Sequence, residues 1–212
     1  FSATPPPSAV HVGKAAPHAA AGLHVTGTAP YVDDLPLPSR GLHGALVLSA
    51  KPHAELLGLD AGAALALPRG VRVLSAADVP GANAYGVTHV VDEVVFAADR
   101  VTCVGQPVGL VLAETHDAAV AGAAAVTVRY GADLPAVLSL EAAIAASAYL
   151  PGVPLHRIER GDADAVVGCP PDGVATVSGT VRIGAQEHFY LEPHGSVATP
   201  TGGGGMAVTA ST

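Results

Sequence analysis

Tryptophan is absent from this sequence, and methionine occurs once, phenylalanine three times and tyrosine five times in 212 residues. Half of the residues are hydrophobic but only 4% are aromatic, so any core must be assembled from small aliphatic side chains. Charge is scarce as well: 13% of residues carry it, and the net value is −8 with histidine neutral. The ten Lys and Arg are scattered singly. That excludes the clustered basic face that nucleic acid or an anionic membrane surface would require. Long apolar runs are missing too. The longest candidate, residues 46–68, is interrupted by Lys51, His53, Glu55 and Asp60, and falls short of the roughly 20 apolar residues that span a bilayer.

There are two cysteines, Cys103 and Cys169, 66 residues apart. With no CxxC or CxxxxCxxC spacing, this chain cannot by itself hold zinc or an iron–sulfur cluster through thiolates. Isolated cysteines in apolar surroundings are expected to be small buried hydrophobes. Such sparing use predicts a reducing compartment, read as the cytoplasm with the peroxisome as the alternative. Signatures of self-contained catalysis are lacking: there is no GxSxG elbow, no HExxH, and no GxGxxG after a strand. The sequence starts at Phe1 where an initiator Met would stand, and stops at "MAVTAST" within a predicted strand; both ends read as cuts in a longer protein.

Residues 1–40 hold seven prolines, which predict extended, wrapping chain. From 41 to 147 the pattern alternates between strand and short helix. Strands are expected at 42–49, 55–60, 71–75, 108–113 and 126–130, from β-branched alternation and buried apolar runs. Helices are expected at 60–68, capped by Asp60, across "THDAAVAGAAAV", capped by Thr115 or Asp117, and at 138–147, capped by Ser139. Glu141 then stands near the positive end of the last helix dipole. "SAAD" at 75–78 fits a capping box. After "PGVP" at 151–154 the sequence is expected to be β-rich, with strands in 174–183, 188–199 and 206–210. The class is α+β. Gly202–Gly205 lacks a following GK[ST] or helix, and so predicts a hairpin tip rather than a phosphate loop.

Few side chains suggest chemistry. Asp33 and Asp34 stand near Pro36 and Pro38, a setting for a solvated turn rather than a metal pair; "ERGD" at 159–162 also reads as a surface turn. His188 and His194 would share one side of a strand, yet two imidazoles are half of a metal site. The densest cluster is "GAQEHFYLEPHG" at 184–195. Alternation puts Gln186, His188, Tyr190 and Glu192 on one face, and Glu187, Phe189 and Leu191 on the other. Burying such a row without partners would cost roughly 1–3 kcal/mol per unsatisfied group. It is therefore either exposed or turned toward a ligand. Gln186 is the notable member, because a carboxamide can donate to an oxo group without adding charge.

These residues have a family resemblance. "QEHFYLEPHGS" resembles the glutamine segment of the molybdenum hydroxylases, the xanthine dehydrogenases and aldehyde oxidases. "VGKAAPHAAAGLHVTGTAPYVDDLPLP", "LHGALVLSAKPHAELLGLD", "SAADVPGANAYG", "DEVVFAADRVTCVGQPVGLVLAETHDAA" and "VTVRYGADLPAVLSLEAAI" are similar to successive blocks of the same family. "FYLEPHGS" and "VTCVGQPVG" look most like plant xanthine dehydrogenases. The resemblance implies an extended segment at 1–19, an a/b hammerhead domain at 20–147, and the incomplete start of a molybdopterin-binding domain at 148–212. It implies that Gln186 hydrogen-bonds an oxygen ligand of the molybdenum without being a metal ligand. No catalytic residue falls within this segment. Purine hydroxylation with oxygen from water would follow, with electrons passing through [2Fe–2S] centres and FAD on other domains to NAD, in a homodimer. Family members commonly carry Gly before this glutamine, where this chain has Ala185. An aldehyde oxidase segment, or a stand-alone hammerhead module that binds without catalysing, are the other readings.

Overall fold

The computed structural model describes residues 15–86, 91–149 and 158–212. It divides into two compact units, Phe1–Ser39 with Gly184–Thr212, and Arg40–Ile183. In the first, helix α1 (Ala21–Thr26) ends on Gly27 in the left-handed region, φ 70°. The expectation of extended chain throughout 1–40 is corrected here. The prolines bracket "HAAAGLHVTGTA" between Pro17 and Pro30 without entering it, and Ala and Leu favour helix where no proline removes a donor.

The second unit carries strand β1 (His43–Leu48), β2 (Ala54–Asp60), helix α2 (Gly62–Leu65), β3 (Arg72–Leu74), β4 (Arg100–Val101), β5 (Pro107–Ala113), helix α3 (His116–Ala125), β6 (Thr127–Asp133), α4 (Leu140–Ala145) and α5 (Ala163–Gly168). Two three-stranded antiparallel sheets result, ordered β1-β5-β3 and β4-β2-β6. The α+β class holds. All five strands expected before residue 131 form. The two-residue β4 was not expected: it lies in a stretch too short to show a period.

The caps follow the sequence closely. Thr115 accepts the Ala118 N–H at 3.3 Å and Ser139 the Ala142 N–H at 3.1 Å. The Ser75–Asp78 box is complete. The cap expected at Asp60 is corrected: α2 starts at Gly62 with Ala61 as its N-cap and no side-chain cap bond, the helix is shorter than the 60–68 expected, and Asp60 only accepts the Gly62 N–H at 3.0 Å. Helix α5 was not expected. Asp162 of "ERGD" caps it, accepting from Ala165 N at 2.9 Å.

The core is aliphatic, as the scarcity of aromatics requires. Val101, Val108 and Val111 are its largest fully buried side chains. Helix α3 packs across β1 and β5 with Ala119 and Gly122 buried. A Cβ at Gly122 would lie 2.8 Å from Val111 Cγ1, so the helix sits as close to the sheet as glycine allows.

At the start of α4, the main-chain hydrogen bond at Glu141 and then the Arg182 guanidinium, 2.8 Å away, hold the Glu141 carboxyl below its ordinary range. A lowered carboxyl contributes stability above its unfolded-state pKa, and that contribution is lost as pH falls through the lower folded value. Glu141→Gln should therefore lower the melting temperature slightly at neutral pH and converge on wild type as pH falls through the folded value, which makes the acid limb shallower. The side chain is exposed, so the effect is small. A difference from wild type that is absent at neutral pH, or that does not shrink on acidification, would contradict the assignment.

The cysteine expectation is corrected: both thiols are exposed. Cys103 lies in the turn before β5, beside Gly105 at φ 83°, and Cys169 follows α5. Turn and cap geometry decides their exposure, over the small apolar preference of the side chain. Both should react with a soluble disulfide reagent in native buffer, at rates close to those of the denatured chain. Fewer than two thiols titrated without denaturant would refute this.

Candidate functional site

Strand β7 (Ser196–Pro200) and β8 (Met206–Ala210) form an antiparallel hairpin. Its tip is a short turn at Gly202–Gly204, with Gly203 and Gly204 at φ 75° and 83°. Thr201 N–H donates to the Gly205 carbonyl at 2.8 Å. The glycine run is the expected hairpin tip. The strand expected over 188–199 is confined to its C-terminal end.

Residues 184–195 form no strand, and neither do 174–183, where strand was also expected. Strand geometry requires a hydrogen-bonded neighbour, and no described residue supplies one. Local bonds take over. Glu187 Oε1 accepts the Phe189 N–H at 3.3 Å, and Phe189 sits at φ 51°, outside any strand conformation. The His188 and Tyr190 rings still share a side, stacked at 5.8 Å and 9°, and His194 continues the series at 5.8 Å from Tyr190. Glu192 leaves the row: its carboxylate accepts the Val32 N–H at 2.8 Å. Sequence reasoning missed that bond, because nothing local signals a partner 160 positions away.

Gln186 is exposed and makes no hydrogen bond to any described residue. Gln186, His188 and Tyr190 are exposed and half-buried Glu192 is paired, so the row leaves no buried group unsatisfied. Among the described residues no group of three or more His, Cys, Asp and Glu could hold a metal ion. His188 and His194 remain a pair. Asp34 is committed to the Tyr31 N–H at 3.0 Å, in a 3-10 turn at Val32–Asp34; the acidic pair is a turn, as its prolines suggest. The described residues therefore offer a metal cofactor no direct ligand set, and the Gln186 carboxamide is left free to meet a neutral or anionic acceptor. Among the described residues, no helix is long and apolar enough to cross a membrane.

The sequence profile described as "Aldehyde oxidase and xanthine dehydrogenase, a/b hammerhead domain" matches residues 26–133. The chain belongs to the aldehyde oxidase and xanthine dehydrogenase family. A second profile, "Molybdopterin cofactor-binding domain", matches residues 148–212, which include Gln186. Among curated relatives of this family, the chain is 44% identical to "Xanthine dehydrogenase 1" of Arabidopsis thaliana over 91% of its length. It is 43% identical to the xanthine dehydrogenase of Oryza sativa subsp. japonica over 91%. It spans 14% of the length of each. Among solved structures, the aldehyde oxidoreductase of Desulfovibrio gigas matches with TM-score 0.76 and 29% identity over 92% of this chain and 23% of that one. A Cu,Mo-CO dehydrogenase matches at 0.54 and 30% over 60% of this chain and 16% of that one. The family is one of molybdenum-dependent oxidoreductases, and this chain carries its hammerhead domain and part of its cofactor-binding domain.

Proposed function

We propose that the chain is a segment of a xanthine dehydrogenase that hydroxylates purines, hypoxanthine and xanthine, with oxygen from water. The observation that carries this reading is the 44% identity to a plant xanthine dehydrogenase across 91% of the chain, against 29% to the aldehyde oxidoreductase. The hammerhead domain occupies 20–147 and the molybdopterin-binding domain begins at 148. Gln186 would donate to an oxygen on the molybdenum cofactor; the cofactor, when bound, would supply the redox chemistry and the protein would orient it. Electrons leave through [2Fe–2S] centres and FAD, on other domains, to NAD. The enzyme is a cytoplasmic homodimer, with the peroxisome as the alternative location.

The test is turnover by the complete polypeptide that carries these residues, with hypoxanthine and xanthine compared against aromatic aldehydes. Purine oxidation coupled to NAD reduction is expected. Aldehyde turnover without purine turnover would favour an aldehyde oxidase instead, the reading that the 0.76 TM-score to an aldehyde oxidoreductase supports. The 212-residue chain alone should bind no molybdenum, since among the described residues no group of three or more His, Cys, Asp and Glu could hold a metal ion. Stoichiometric metal on the purified chain would overturn that expectation.

A further inference from the structure

Of the twelve residues from Gly184 to Gly195, only Glu192 and Gly195 are withdrawn from solvent. Both face the same short piece of chain. Glu192 Oε1 accepts the Val32 N–H at 2.8 Å, and both residues are half-buried. Val32 opens a 3-10 turn, so its N–H has no acceptor within that turn. Gly195 lies against the same turn: a Cβ there would stand 3.4 Å from Asp33 Oδ1 and 3.6 Å from Val32 Cγ1.

The turn is braced from behind. Asp34 accepts the Tyr31 N–H at 3.0 Å, and the Tyr31 hydroxyl lies 3.4 Å from His24 Nδ1 on α1. The other side of the corner is closed by Ser211, whose Oγ accepts the Gly195 N–H at 2.8 Å and donates to the Pro193 carbonyl at 3.0 Å. From Gly184 to Glu192, the Glu192 carboxylate makes the only side-chain hydrogen bond to a described residue outside this stretch. The chain before it, including Gln186 six residues earlier, therefore leaves a corner held by this charge-assisted bond on one side and by the Ser211 contacts on the other.

We propose that Glu192 is a positioning residue: by accepting the Val32 N–H it fixes the end of the glutamine segment against the Tyr31–Asp34 turn, and so sets where Gln186 stands. This rests on the reading of Gln186 as the amide that meets the cofactor's oxygen. The bond asks for an acceptor at glutamate length more than for a full charge. Glu192→Gln, which keeps a carbonyl oxygen at the same reach, should preserve it, whereas Glu192→Ala should abolish it.

The experiment has two readouts. In the isotope-labelled 212-residue chain, Val32 amide exchange should speed up about tenfold in Glu192→Ala and stay near wild type in Glu192→Gln. In the complete enzyme, kcat per bound molybdenum should fall about tenfold in Glu192→Ala, with the purine KM within about twofold, and Glu192→Gln should recover most of it. Gln186→Ala is the control: it should lower kcat and leave Val32 exchange untouched. Unchanged Val32 exchange in Glu192→Ala overturns the proposal. Normal kcat in Glu192→Ala beside a low kcat in Gln186→Ala also overturns it, and leaves the reading of Gln186 standing. Normal kcat in Gln186→Ala removes that reading and the proposal together, even if the Val32 bond is confirmed.

Discussion

On the role proposed for Gln186, Gln186→Ala in the complete enzyme should lower kcat by about 10–100-fold and leave the purine KM within about twofold, because an amide in that role would act where charge develops during the reaction and not on substrate binding. A hydrogen bond made equally well before and during reaction would change KM alone. The asymmetry expected here comes from what a carboxamide offers. It would donate to an oxygen on the cofactor without bringing a charge of its own. Gln186→Glu keeps the reach and the carbonyl but puts an anion in place of the N–H donor, and should be at least as slow. Folding should not confound the comparison. Gln186 is exposed and bonded to no described residue, so the melting temperature of the 212-residue chain should match wild type in both variants. Steady-state kinetics normalised to bound molybdenum gives the answer, and wild-type kcat with a raised KM would show the assigned role to be wrong.

Gly109→Val should destabilise the chain by about 3 kcal/mol, the upper part of the range for overpacked cores. The loss runs against intrinsic preference, since valine is the better strand former. Gly109 sits on β5, between β1 and β3, opposite Val47. A Cβ there would lie 2.7 Å from the Leu74 carbonyl oxygen and 2.8 Å from Leu59 Cδ1. The leucine methyl can rotate away. The Leu74 oxygen belongs to the backbone of β3 and can yield only if β3 parts from β5. Gly109→Ala already meets that oxygen and should cost a large share of the same energy. Urea unfolding followed by circular dichroism measures both, and a midpoint equal to wild type for Gly109→Val would show that the strands are less tightly joined than described.

Much of the larger unit could be read from the sequence because its signals are local. Alternating β-branched residues mark β3 and β6, continuous apolar runs mark β1 and β5, and Thr115 and Ser139 announce α3 and α4 through bonds only three residues long. The failures share a different origin. Residues 175–183 alternate strictly, with Ala175, Val177, Gly179, Val181 and Ile183 against Thr176, Ser178, Thr180 and Arg182, yet no strand forms. Alternation records which face a strand would bury, while a strand exists only when a second chain segment satisfies its backbone. The same applies to 188–195. Proline counting failed at α1 because the count ignored where the prolines fall. The cysteines were misplaced because composition says nothing about which residues a turn pushes outward.

The sequence by itself determined the family, the α+β class, the Thr115 and Ser139 helix caps, and Gln186 as the residue to test, since each rests on residue identity or on contacts a few positions apart. Only the tertiary structure decided that "QEHFYLEPHG" is irregular chain, exposed except at Glu192 and Gly195, and that Glu192 crosses 160 positions to Val32. It also decided that Gly109 and Gly122 stand where no side chain fits. These depend on which distant segments meet. That is settled by packing and backbone pairing summed over a whole unit, and no local pattern encodes it.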